Sequence, residues 1–388
     1  MSNRIVVVGG GFAGFWAALA ARRVGGDGVD VQLISRDPTL VMRPRLYEAD
    51  PASLGIDLRP PLAAAGVDFV AGAAETVADD AVVLSDGSRL PFERVVIATG
   101  SVMRRPPVPG TETAWSVDSQ AEAIAFDARL AALARADAPH LAVVGAGFTG
   151  IELALELRDR LAGHGGNGEA MRITLVDRAE VVGPELGPGP RDAIVAALNE
   201  AKVDLRLGIE VTGLSPTRIT LADGTIEADA VALCTGLAAA PFATQVPGDR
   251  DPLGRLLVNG DLRAPEMPHV FVAGDAAAAD TGDGHLALQS CQHALQLGRF
   301  AGENAARDLL GQPTIPYAQP RYVTCLDLGR AGAVRTQGWD REVVATGAEA
   351  KAVKQMINRQ LIYPPADADG ATLLAMSTTD PARQGRPG

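Results

Sequence analysis

The tightest constraint on this chain lies near its start. The apolar run Ile5-Val6-Val7-Val8 passes directly into Gly9-Gly10-Gly11-Phe12-Ala13-Gly14, and a helix-forming run follows to Arg23. A short β-branched run bounded by glycine reads as a buried parallel strand, and the residues after it as a helix. Gly9, Gly11 and Gly14 complete G-x-G-x-x-G. The first glycine permits the tight turn, the second lets backbone approach a pyrophosphate, and the third lets helix pack on strand. The helix N-terminus then offers its positive end to phosphate. The strand before and the helix after are what separate a dinucleotide cradle from a convenient glycine turn.

The chain repeats the unit. His140-Leu-Ala-Val-Val144 leads into Gly145-Ala-Gly147-Phe148-Thr149-Gly150 in the same register, with all three glycines kept. Two cradles predict two dinucleotides. Each is followed by a further strand with a similar small-residue end, Ala98-Thr99-Gly100 in one case and Cys234-Thr235-Gly236 in the other. A last apolar run, His269 to Ala273, ends in Gly274-Asp275. A carboxylate at a strand C-terminus of a doubly wound sheet lies in the crevice where ligands bind.

The expected class is therefore α/β, with two Rossmann-like dinucleotide-binding domains and a smaller C-terminal α+β domain. The boundaries are read as 1–108 with 251–312 for the first domain, 109–250 for the second and 313–365 for the third. A flexible tail is expected over 366–388, disordered from Ser377. Pro106, Pro107 and Pro109 form a stiff linker, and helices are expected over Ser119 to Arg135, Leu286 to Leu310 and Ala350 to Arg359.

Composition narrows the function. A chain of 388 residues with 47% apolar and 21% charged residues suits several globular domains. No apolar run approaches the roughly 20 residues of a bilayer span, so no integral membrane anchoring is expected. A net charge of −12 disfavours nucleic acid and anionic membrane surfaces. The first strand starts within a few residues of Met1, which predicts a cytoplasmic protein without a signal peptide. Cys234, Cys291 and Cys325 are widely separated, with no CxxC, and predict neither a disulfide framework nor a metal site.

Particular residues carry the expected chemistry. Ser35, with Arg36 and Asp37 beside it, stands where a ribose-binding acid is expected after the first cradle. Arg43-Pro-Arg45-Leu-Tyr47-Glu48 is either an active-site lining or a solvated loop. Glu152 is expected in the first turn of the second cradle helix, where it either gains from the helix dipole or faces a nicotinamide. Asp177 ends the next strand. There a carboxylate binds the 2′-hydroxyl of NAD and repels the 2′-phosphate of NADP, although Arg178 is positioned to accommodate that phosphate. Gln292 and Gln296, at i and i+4, share one helix face.

Two cradles, two Thr-Gly strand ends and a Gly274-Asp275 strand end, in this order, resemble the two-dinucleotide flavoproteins of the pyridine nucleotide-disulfide oxidoreductase superfamily. The resemblance covers residues 4 to about 310. It implies that FAD contacts Gly9, Gly11, Phe12, Ala13, Gly14, Ser35, Arg36, Arg43, Ala98, Thr99, Gly100, Gly274 and Asp275. The Asp275 carboxylate would hold the ribityl chain. It also implies that NAD(P)H contacts Gly145, Gly147, Phe148, Thr149, Gly150, Asp177, Arg178 and Gly236, and the aspartate favours NADH.

No cysteine precedes Cys234, which sets the chain apart from the disulfide-reducing members. The Arg43–Glu48 stretch and Cys291-Gln292-His-Ala-Leu-Gln296 instead look like type II NADH dehydrogenases, with Cys291 in place of an alanine and His293 a local substitution. The amphipathic C-terminal helices that seat that family on membranes are not evident. The resemblance implies hydride transfer from NADH to flavin, then electron delivery to a quinone or similar small aromatic acceptor, with Glu152, Gln292 and Gln296 as catalytic candidates. Alternatives are a ferredoxin or rubredoxin reductase, and a redox-sensing nucleotide-binding protein without turnover. A homodimer through the C-terminal domain is compatible with the resemblance.

Overall fold

The computed structural model describes residues 3–380. Two five-stranded parallel sheets dominate it, and they have the same plan. In the first, the strands order as Val270–Val272, Arg94–Ile97, Arg4–Val8, Asp30–Ser35 and Asp68–Ala71. In the second, Trp115–Ser116, Ala230–Leu233, His140–Val144, Arg172–Val176 and Val203–Arg206 repeat that arrangement. In each sheet the strand that feeds a glycine turn is central. It pairs on one side with the next strand of its own unit and on the other with the strand ending in Thr-Gly. The glycine turns therefore open where the chain switches direction across the sheet, at the C-terminal strand ends.

The central strands are apolar on both faces because helices cover one and a three-stranded antiparallel sheet the other: Val6 and Val8 pack with Val82 and Leu84, and Ala142 and Val144 with Ile219 and Leu221. Ile5, Val6 and Val7 are fully buried, as are Ala142 and Val143. On one face of the first sheet, the Phe12–Gly25 helix crosses the Cys291–Leu309 helix at very short range. A methyl added to Gly298 or Gly302 would lie 2.2 Å from the Ala13 carbonyl oxygen or 2.0 Å from that of Ala17. Gly274 packs against the start of the same first helix, a Cβ there meeting that of Ala13 at 2.8 Å.

An antiparallel ribbon, Ser101–Met103 against Leu237–Ala239, joins the two halves directly after their Thr-Gly strand ends. A three-stranded antiparallel sheet, Val323–Asp327, Ala333–Gln337 and Glu342–Thr346, follows with the Gly347–Met356 helix packed on it.

Several sequence expectations shift. The helix expected from Leu286 begins instead at Cys291, because Ser290 caps it by accepting from the His293 N–H. A Ser119–Glu122 capping box starts its helix at Gln120, and that helix ends at Leu133. The tail expected to be loose from 366 is instead ordered over 366–380. Asp369 caps a helix over Gly370–Met376 whose Leu373 is fully buried, and Thr379 donates to Glu303. The remainder of the expected disordered segment, 381–388, lies outside the described residues. Among the described residues no helix is long and apolar enough to cross a membrane.

Candidate functional site: two glycine cradles and a buried ion pair

The two cradles have nearly the same backbone. Gly9 and Gly145 turn at φ 117° and 110°, where a Cβ would strike the carbonyl oxygens of Ala98 and Cys234. Gly14 and Gly150 let helix meet strand, since a Cβ would lie within 2 Å of the Gly9 or Gly145 oxygen. Neither helix has a side-chain cap at its N-terminal glycine. The first intrahelical bonds run from Phe15 N–H to Gly11 O and from Ile151 N–H to Gly147 O, both at 3.0 Å. The amides preceding them face the turn.

Around the first cradle, the structure groups most of the residues singled out from sequence. Asp275, half-buried, accepts from the Ser101 hydroxyl at 2.6 Å. Burial pushes its carboxyl up, with Ser101 and the Arg43 charge opposing that rise. Arg43 donates to Ser101 Oγ at 2.8 Å and is ion-paired with Asp118, so the early loop is locked to the strand end and the ribbon. Ser35 sits beside Gly10, while Arg36 is exposed. Gly100 and Gly236 turn at φ 70° and 82° into open space. Among the buried polar atoms without a hydrogen-bond partner are Thr99 Oγ1, next to Gly9, and Gln292 Nε2. Gln292 and Gln296 are half-buried on one helix. A dinucleotide supplies the phosphate, hydroxyl and ring acceptors that such donors and open amides lack, and a Cβ at Gly11 would meet nothing within 4 Å. The residues present fit the group.

In the second unit Asp177 spans its turn, accepting from Ala146 N–H at 2.6 Å and Ala179 N–H at 2.8 Å, and Arg178 is exposed. Thr149 is exposed and Phe148 half-buried.

Glu152 departs from its sequence reading. It lies beyond the first helical turn, whose residues include no acid, so a gain from the helix dipole is not its role. It is 3% exposed, and its Oε1 accepts from Lys354 Nζ at 2.8 Å and from Asp327 N–H at 2.9 Å. Burial pushes its carboxyl up to about 7 against the opposing pull of Lys354. The same carboxylate holds the Lys354 ammonium above its ordinary value, so Glu152 is the member that titrates near neutrality. Lys354 also lies 5.2 Å from the Phe148 ring and 5.7 Å from that of Tyr47, whose hydroxyl donates to Asp327.

Sequence reasoning missed Lys354, Asp327, Ser101 and Asp118. None stands in a motif, and only contacts between distant segments reveal them. The Arg43–Glu48 stretch opens with a short helical turn over Arg43–Arg45 and is packed rather than solvated, with Tyr47 buried and Arg45 bound to the Tyr363 hydroxyl. The three cysteines form no disulfide, and burial raises Cys234 to about 12 and Cys291 and Cys325 to about 11. Among the described residues no cluster of His, Cys, Asp or Glu is placed to hold a metal ion. Two surface concavities, of about 380 and 250 Å³, lie beside Gly329–Lys351 and Trp115–Glu122 and are lined by no cradle glycine.

Paired parallel sheets with matching cradles define the two-dinucleotide class of redox enzymes. The chain belongs to the pyridine nucleotide-disulphide oxidoreductase family, whose sequence profile matches residues 3–298. It is accordingly an oxidoreductase that uses a flavin and a nicotinamide nucleotide. A NADH dehydrogenase-like protein of Mycobacterium tuberculosis is 42% identical over 99% of this chain and 100% of its own length. A demethylphylloquinone reductase of Synechocystis is 27% identical over 93% of this chain and 91% of its own. Among solved structures, the sulfide:quinone oxidoreductase of Aquifex aeolicus shares the fold with a TM-score of 0.78 at 17% identity, covering 95% of this chain and 92% of that one. A ferredoxin reductase from Rhodopseudomonas palustris shares it at 0.72 and 21%, covering 86% and 81%.

Proposed function

We propose that this protein is an FAD-dependent NADH:acceptor oxidoreductase that acts in the cytoplasm. It passes hydride from NADH to flavin and electrons onward to a quinone or similar small aromatic acceptor, without a redox-active disulfide. The observation that carries the reading is the pairing of two cradles with cysteines that form no disulfide, are buried or half-buried, and are held protonated. The names of the relatives support it, since they include NADH dehydrogenase-like proteins and a quinone reductase.

Residues 1–108 and 251–312 would hold FAD, and 109–250 NADH. The open amides at Gly11 take the FAD pyrophosphate, and Asp275, oriented by Ser101, accepts from the ribityl hydroxyls. Asp177 accepts from the adenosine ribose of NADH. The flavin itself supplies hydride acceptance and electron delivery. This chain's residues orient it, and Glu152 holds or releases a proton close to neutral pH, with Lys354 keeping that carboxyl within range.

The test is anaerobic stopped-flow. NADH should bleach the flavin, and a small quinone should restore it with turnover. Reoxidation by a rubredoxin or ferredoxin but not by quinones would replace the acceptor class. Bleaching without turnover on any acceptor would leave only a redox-sensing role.

A further inference from the structure

The two cradles share a backbone but differ in what stands in front of them. Their N-terminal glycines have the same conformation, Gly11 at φ −85°, ψ −168° and Gly147 at φ −82°, ψ −169°. A Cβ on Gly11 would meet nothing within 4 Å. A Cβ on Gly147 would meet the Glu185 carboxylate at 2.9 Å. That carboxylate accepts from the Phe148 N–H, also at 2.9 Å. It therefore occupies the place in the second cradle that the pyrophosphate of a dinucleotide takes at such a helix N-terminus.

The segment that presents Glu185 is built to hold its backbone and free its side chain. Pro184–Leu186 is a single helical turn between Gly183 at φ 54° and Gly187 at φ 70°. Gly183 N–H is tied to the Ala146 oxygen at 2.8 Å, and Leu186 is buried. Glu185 is exposed, so its carboxylate can rotate into water without moving the turn.

We propose that Glu185 is a displaceable anion at the nicotinamide nucleotide's pyrophosphate position, which the nucleotide must eject to bind. Two anions cannot share one set of amides, so the nucleotide's affinity is reduced by whatever the carboxylate gains there. The first cradle has no such competitor and retains its dinucleotide, whereas the second exchanges its own at every turnover. This inference rests on assigning the second cradle to the nicotinamide nucleotide.

The test is calorimetric titration of NAD+ into the flavin-loaded protein, comparing wild type with Glu185→Ala and Glu185→Gln. Removing a capping carboxylate should tighten NAD+ binding roughly fivefold to tenfold in Glu185→Ala, with Glu185→Gln between it and wild type. ADP-ribose, which keeps the pyrophosphate and lacks nicotinamide, should show the same gain, and flavin content should be unchanged. Unchanged affinity in Glu185→Ala overturns the proposal. Weaker binding also overturns it, since the carboxylate would then be a ligand of the nucleotide. Failure of NAD+ and ADP-ribose to bind wild type and both variants removes the cradle assignment itself.

Discussion

Glu152 and Lys354, 202 residues apart in sequence, meet at 2.8 Å with both side chains buried, and their pairing ties the second cradle helix to the Gly347–Met356 helix. Breaking a buried pair from one side leaves an uncompensated charge, which costs about 3–5 kcal/mol. Lys354→Met should therefore be strongly destabilised at pH 8. Without the ammonium that pulls it down, the Glu152 carboxyl should rise further above 7. A carboxyl raised in the folded state contributes stability that is full below its unfolded value near 4.5 and is lost as pH rises through the folded one. The deficit of Lys354→Met should accordingly shrink toward pH 5, as urea unfolding at several pH values would show. In kinetics, a wild-type inflection near pH 7 in flavin reoxidation should move upward in Lys354→Met and vanish in Glu152→Gln. An inflection that survives in Glu152→Gln assigns it to another group.

The three glycines of the first cradle should separate folding from cofactor binding. Gly11 has an extended backbone and open space before it, so Gly11→Val should fold with a Tm close to that of the flavin-free wild type, yet purify colourless. Gly14→Ala would place a methyl 1.7 Å from the Gly9 oxygen and should lose stability as well as flavin. A yellow Gly11→Val protein contradicts the role given to that turn.

Asp177 should decide between the two nicotinamide nucleotides. A carboxylate facing a 2′-phosphate at close range should give wild type a kcat/KM for NADH at least about tenfold above that for NADPH. Asp177→Ala should bring the ratio near parity, because the exposed Arg178 remains. It should also raise KM for NADH, since the Ala146 amide loses its acceptor. A wild-type ratio at or below parity would remove the carboxylate from the discrimination.

No thiol should take part in turnover. Burial holds all three thiols protonated at neutral pH, which suppresses their nucleophilicity. The combined Cys234→Ser, Cys291→Ala, Cys325→Ser variant should keep near-normal NADH:quinone turnover. Normal flavin reduction with reoxidation lost would force a thiol relay into the mechanism.

The crossing between the Phe12–Gly25 and Cys291–Leu309 helices should tolerate no side chain. Gly302→Ala sets a methyl 2.0 Å from the Ala17 oxygen, and the helices must part to admit it. A cost on the order of 3 kcal/mol is expected from such overpacking, read as a lower urea midpoint. An unchanged midpoint would mean that the crossing is looser than its geometry.

The sequence by itself determined both cradles, the strands that feed them, and with these the fold class. Each is local: a glycine turn needs residues five apart, and an apolar β-branched run between helices has few alternatives to a parallel strand. Local chemistry was also decisive wherever a cap ended or began a helix, although Ser290 and Asp369 overrode the apolar pattern that suggested earlier or absent helices. Tertiary structure alone decided the environment of the carboxylates. Glu152 reads as a helix residue near a dipole until Lys354 and the Asp327 amide arrive from the far end of the chain. Asp275 acquires its Ser101 donor from a separate strand end, and Glu185 has no local sign that its carboxylate stands before the second cradle. A charge's burial and partners are properties of the packed interior, set by segments with no sequence relation to one another, whereas a turn is written in the few residues that make it.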